Sequence, residues 1–452
     1  MKTFGILSDR RYQLAAKFPI VKAFLFFLPL CALFLYKVRL LEDNSYAGFI
    51  DVHIDAIFIC IYFIWVAIIV SNYPMSANCP SDVFLALYLT TVALCGSVFW
   101  GSTGLLDASG ALLLLTLITL PILMLKIARG GLLVFFKKHL VGLNFFPEYL
   151  LAPTLISVLV FSGVVGYLVG ANEGGFDIAS MYERRMVGRE NFVDYSLQAY
   201  LMTMSVNAVA PLLAFIAAQE KKIAYAAIAV AFSIFGFWLL GLKAPLLYVV
   251  AMYAMGYSVR NGLFKKIPKY IIFGLAFIFS AAIFEIIVFD YSFIADYFIR
   301  RTFLVGSQIQ TYFVDKIFFQ SSVENILFGV NLNGLNAPSL LIGQEYFDID
   351  ATNANTNAFL YSLALSGLFG YFLSIIFVCL FMAFVDYLYI FKRRGEVFAV
   401  AVIYSVLILE QAYTTAFISS GVMLCLFLVL LFSKKQQTIK IIKSKKYENM
   451  KI

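Results

Sequence analysis

Long stretches of this chain carry no charge at all. Between Asp55 and Asp82 lie 26 consecutive residues without Asp, Glu, Lys or Arg, between Asp194 and Glu220 lie 25, and between Asp350 and Asp386 lie 35. A soluble fold cannot cover its surface on such spacing. Soluble domains carry about 25% charged residues, whereas this 452-residue chain carries 13%, with 62% hydrophobic. The pattern predicts an all-α, polytopic integral membrane protein and excludes collagen-like, disordered and disulfide-stapled classes.

A bilayer core takes about 20 apolar residues per helix. By that ruler spans are expected near 20–40, 54–72, 83–100, 108–126, 150–170, 196–218, 223–241, 244–259, 270–289, 366–391, 396–412 and 415–432. This makes about 12 transmembrane helices in a single transmembrane domain, 1–452. Its long loops are 171–195 and, between the ninth and tenth helices, 290–353; a basic tail follows at 433–452. The 38 residues between Asn353 and Lys392 exceed one helix. They predict a helix from Asn357 to Leu365 on the outer membrane surface, then a span beginning near Gly367.

Charge orients the spans. With a cytoplasmic N-terminus, 25 of the 34 Lys and Arg fall inside and 9 outside, as positively charged cytoplasmic loops require. Both termini are then cytoplasmic, and 290–353 lies on the outer side. The net charge of +8 therefore speaks for topology and not for nucleic acid. Nineteen of 26 carboxylates lie on the outer side. The six cysteines form no CxxC or metal-ligand spacing, and five lie inside apolar runs. His53 and His139 are the sole histidines. No phosphate loop, GxGxxG, HExxH or nucleophile elbow is present, so no cofactor and no metal is expected.

Candidate chemistry collects in the outer segments. Arg184, Arg185 and Arg189 lie in the first loop; Arg300 and Arg301 open the second. These arginines break the positive-inside pattern, and a guanidinium matches a phosphate bidentately without ever deprotonating. Pairing with neighbouring carboxylates is the plainer alternative. Lys243 occupies the tight outer turn Gly241-Leu242-Lys243-Ala244-Pro245, where it either snorkels to headgroups or meets a lipid diphosphate. The run Asp348-Ile349-Asp350-Ala351-Thr352-Asn353-Ala354-Asn355-Thr356-Asn357 is the densest hydrogen-bonding stretch in the chain. Its asparagines, Asn355 and Asn357 among them, either cap the following helix or bind sugar hydroxyls.

The layout resembles the Wzy-type O-antigen polymerases and, more broadly, the family that includes the O-antigen ligases. The shared features are a dozen spans, a large outer loop in the second half, and Asn357 followed by Gly367 and Gly370. The Gly241-Leu242-Lys243 turn looks like the family's Gly-Ser-Arg turn with lysine for arginine. In the ligases a histidine typically precedes the position of Asn357; here Thr356 stands there, which favours the polymerase. The resemblance implies a metal-independent glycosyltransferase that moves a growing glycan from undecaprenyl diphosphate to the non-reducing end of a new lipid-linked repeat unit. Membrane lipid and a chain-length regulator are the other implied partners. Arg184, Arg185, Arg189, Arg300, Lys243, Asn355 and Asn357 are then the expected substrate contacts, and Arg301, Asp348 and Asp350 the expected catalytic residues. Tyr182, Tyr195 and Tyr346 are candidates to stack on sugar rings. A ligase-like transferase and a non-enzymatic flippase or exporter of lipid-linked oligosaccharide remain the alternatives.

Overall fold

The computed structural model describes residues 20–44, 48–139, 146–170, 176, 196–241, 243–320, 322–335, 337–347, 353–392 and 394–433. A two-residue parallel pair, Phe146–Pro147 with Phe432–Ser433, is the one sheet among them; the rest of the regular structure is helical. Among the described residues, eight helices are long and apolar enough to cross a membrane. Three shorter apolar helices, Ala56–Asn72, Glu396–Leu407 and Val422–Leu431, fall within other expected spans. Local chemistry sets the ends. Asp55 Oδ1 accepts the Phe58 amide at 2.7 Å and Asp107 Oδ1 the Gly110 amide at 2.8 Å, each starting a helix. Gly241 ends Ile223–Leu240 at φ 64°, where a residue lacking Cβ costs least.

Contacts divide the chain into two compact units. The second comprises 139–260, 394–403 and 417–452. Within it Ala244–Arg260 lies so close to Ala210–Glu220 that a Cβ on Gly256 would stand 2.4 Å from the Phe215 carbonyl oxygen. An apolar groove of about 460 Å³ runs between Leu151–Gly170 and Ile223–Leu240.

The first unit comprises 1–138, 261–393 and 404–416. Its helix Ala108–His139 has 32 residues, about 48 Å at 1.5 Å per residue, and so runs well past the expected end at 126. Arg129 therefore lies on a helix and not in a loop. Its Nη1 meets Asp82 Oδ1 and its Nε meets Asp386 Oδ2, both at 2.9 Å. The Ser81 amide and hydroxyl donate to Asp386 at 3.0 and 2.6 Å, and the Asn78 amide donates to Asp82 at 2.7 Å. Cys79 Sγ touches Arg129 Nη2. This polar knot ties Pro80–Tyr88, Ala108–His139 and Ala358–Lys392 together around Asp386, whose side chain is 0% exposed.

The segment expected as one large loop is mostly helix. A helical run extends from Ala295 through Val305–Val314 to Phe319, and Val323–Phe328 and Pro338–Phe347 follow. Residues 307–315 are buried without a break. The cause is a set of long-range partners: the Gln310 amide donates to the Val92 carbonyl at 3.2 Å, and Thr311 Oγ1 lies 3.3 Å from Thr103 Oγ1.

Helix Ala358–Lys392 breaks at Ser366 (φ −143°) and Gly367 (φ 59°, ψ −156°), which places the bend where the Gly-x-x-Gly pattern put the start of a span. The part before it is not a surface helix. Ala358, Phe359, Leu360, Ser362, Leu363 and Ala364 are all buried, because this short helix is apolar around its circumference and sits inside the unit. Phe359 packs edge-on against Tyr88, 5.7 Å between centroids, and Tyr88 lies near the middle of the candidate span Pro80–Phe99. The bend is crowded: a Cβ on Gly367 would stand 2.2 Å from the Leu327 carbonyl, and one on Gly329 would stand 2.6 Å from that of Leu365.

Candidate functional site

Asn357 is the cap of the buried helix. Its Oδ1 accepts the Phe359 and Leu360 amides at 3.1 and 3.2 Å, and its carbonyl accepts the Tyr361 amide at 3.0 Å. The remaining amide of the first turn, Ala358 N, donates to the Ile408 carbonyl at 2.9 Å. Every donor at this helix start is thus used. The capping alternative accounts for the oxygen of Asn357 but leaves its nitrogen: Nδ2 is buried and has no hydrogen-bond partner among the described residues. The hydroxyl of the preceding residue, Thr356, is in the same condition, as are the Tyr88 hydroxyl and Gln310 Oε1.

These groups share one neighbourhood. Tyr88 touches Phe359, two residues from Asn357. Gln310 is bonded to Val92, one turn beyond Tyr88 on the same helical run. Two hydroxyls, one amide NH₂ and one amide oxygen in this part of the unit are thus buried without partners among the described residues. An unsatisfied buried polar group costs about 1–3 kcal/mol. Together they offer donors and acceptors suited to a hydroxyl-rich ligand.

A second polar group is internally satisfied. Tyr346 Oη and Gln320 Nε2 donate to Asp315 Oδ2 at 2.7 and 2.5 Å, and Lys316 Nζ pairs with Glu345 Oε2 at 2.7 Å. Tyr346 stacks on Tyr312 at 4.4 Å, so its ring face is already occupied by protein. Burial, with the Asp315 hydrogen bond second, pushes the Tyr346 phenol well above its usual range, which keeps it a donor.

The two arginines of this region differ. Arg300 Nε pairs with Asp296 Oδ1 at 2.8 Å. Arg301 is exposed, lies 5.9 Å from the Tyr297 ring centroid and pairs with no carboxylate among the described residues. Tyr291, Phe293, Tyr297 and Phe298 are likewise exposed around it, an aromatic belt of the type found at membrane–water boundaries. Lys243 is exposed too but belongs to the second unit, whereas Arg300, Arg301, Asn355 and Asn357 belong to the first. Asn355 is exposed, two residues from the buried Asn357. Asp348, Asp350, Arg184, Arg185, Arg189, Tyr182 and Tyr195 lie outside the described residues.

Sequence reasoning found Asn357 and the bend after it, and missed Tyr88, Gln310 and Thr356. Gln310 stands in a run (Ser307-Gln308-Ile309-Gln310-Thr311) that reads as solvated loop until its partner on a distant helix is known. Models of known families, curated proteins and solved structures give no match to this chain.

Proposed function

We propose that the chain is a glycan polymerase of the bacterial inner membrane. It crosses twelve times with both termini in the cytoplasm, and its 290–353 segment serves the periplasmic side. It transfers a growing glycan from undecaprenyl diphosphate to the non-reducing end of a new lipid-linked repeat unit. The observation that carries this reading is the set of buried, unpartnered groups at Tyr88, Gln310, Thr356 and Asn357. A sugar presents hydroxyls that both donate and accept, which is the chemistry these groups leave open.

Arg301 supports the same reading. Among the described residues its guanidinium meets no carboxylate, and it lies against the Tyr297 ring beside other exposed aromatic side chains; this would suit a lipid diphosphate at the membrane surface. Charge that builds on the departing diphosphate is offset there by a preorganised cation. Arg300, held by Asp296, serves as its support.

Deleting the gene tests the proposal. A polymerase deletion leaves lipid A capped with a single repeat unit, a ligase deletion leaves it bare, and a flippase deletion strands the intermediates inside the cell. Long glycan chains persisting in the deletion strain overturn the reading.

A further inference from the structure

We propose that Glu410 is the general base of this transfer, an inference that rests on the polymerase reading. Glu410 lies in the turn that follows Glu396–Leu407, where Leu409 N bonds to the Val406 carbonyl and Glu410 N to the Leu407 carbonyl, both at 3.2 Å. The same turn is pinned to the candidate site, because the Ile408 carbonyl accepts the amide of Ala358, the residue after Asn357. Two residues separate Glu410 from that bond. The turn that carries Glu410 is thereby held against the start of the helix that Asn357 caps.

Its surroundings suit the task. The Glu410 side chain is exposed, so a hydroxyl from solution or from the membrane surface can reach it. It has neither a hydrogen bond nor an ion pair among the described residues. Six other carboxylates of the unit are engaged: Asp315 with Tyr346 and Gln320, Asp296 with Arg300, Glu345 with Lys316, Glu285 with Ser292, and Asp82 and Asp386 with Arg129; Glu42 and Glu324 are as open as Glu410, but neither lies on the turn bonded to Ala358. A base needs a lone pair that no fixed donor holds. Glu410 keeps such lone pairs on the turn that is bonded to the Asn357 helix start.

The step balances. The acceptor hydroxyl oxygen of the new unit attacks the anomeric carbon of the growing glycan and forms the glycosidic bond. The bond from that carbon to the diphosphate oxygen breaks, and undecaprenyl diphosphate leaves with the electron pair. The hydroxyl proton passes to the Glu410 carboxylate, which later releases it to water. Asn357 Nδ2 and Thr356 Oγ1 orient the acceptor sugar.

The test uses the purified full chain in proteoliposomes. The probe is the undecaprenyl-diphosphate-linked repeat unit extracted from cells lacking the gene. Glu410→Gln is expected to lower kcat by about 10²–10⁴-fold, the range of positioned acid–base catalysis, with KM within about threefold. Glu410→Asp, which keeps the base on a shorter arm, is expected to recover most of that loss. Elution of both variants as a single species in detergent separates chemistry from folding. Glu410→Gln with wild-type kcat overturns the assignment, and so does a loss confined to KM. Wild-type protein that makes no polymer overturns the polymerase reading itself, which is a different result.

Discussion

Replacing Arg129 by Met should destabilise the first unit by about 3 kcal/mol. The guanidinium meets two carboxylates at 2.9 Å each, and its removal strands both. Breaking a buried pair by removing one partner costs about 3–5 kcal/mol. The lower end applies for two reasons. Arg129 keeps 24% of its side chain exposed, so part of its charge is already solvated. Asp386 also retains two hydrogen bonds from Ser81. About 3 kcal/mol is more than a hundredfold in the unfolding equilibrium, since about 1.4 kcal/mol is tenfold. Reversible unfolding in mixed micelles, followed by tryptophan fluorescence, reads this directly, and Trp65 and Trp100 both lie within the first unit. The double variant Arg129→Met with Asp386→Asn should recover part of the loss, because the more deeply buried of the two stranded carboxylates is then neutral and Asp82 alone lacks its cation. A loss below about 1 kcal/mol for Arg129→Met, or no recovery in the double variant, refutes the reasoning.

Gly367→Ala places a Cβ 2.2 Å from the Leu327 carbonyl at a backbone conformation reserved for glycine, so the variant is expected to lose at least about 3 kcal/mol and to aggregate during size-exclusion chromatography. Asn357→Asp keeps an oxygen for the Phe359 and Leu360 amides but removes the unpartnered NH₂. Melting should change by no more than about 1 kcal/mol, the scale of a whole cap, while glycan chains shorten to one or two units on a silver-stained gel. For Arg301, Ala is expected to abolish long chains in complementation and Lys to restore them only in part, since an ammonium lacks the bidentate fork; full chain length from both variants removes Arg301 from the mechanism.

The apolar runs were legible as helices because hydropathy and length are local properties. The bend at Ser366–Gly367 was legible for the same reason, as small residues interrupt a long apolar stretch there. Burial of 307–315 was not, because a polar run gains its burial from partners far away in sequence, and Gln310 and Val92 stand 218 residues apart. Arg129 read as one more topological charge in a basic group. A signal for its true place did exist: Asp386 follows 35 uncharged residues, and a carboxylate so deep in an apolar stretch demands a cation. The surface helix expected at 357–365 failed on another count, since nothing in nine residues tells a membrane-surface helix from one inserted among spans. Glu410 was visible only as a charge near the end of a span. Its relation to Asn357 depends on one backbone hydrogen bond between Ala358 and Ile408, which no pattern encodes.

Polymerisation by the isolated protein tests the central claim most directly. The full chain, reconstituted in liposomes with the extracted lipid-linked repeat unit and no other protein, should convert the single unit into a ladder whose bands differ by one repeat, with free undecaprenyl diphosphate released one per linkage formed. A substrate that stays one unit long, with no diphosphate released while the protein remains folded, contradicts the account.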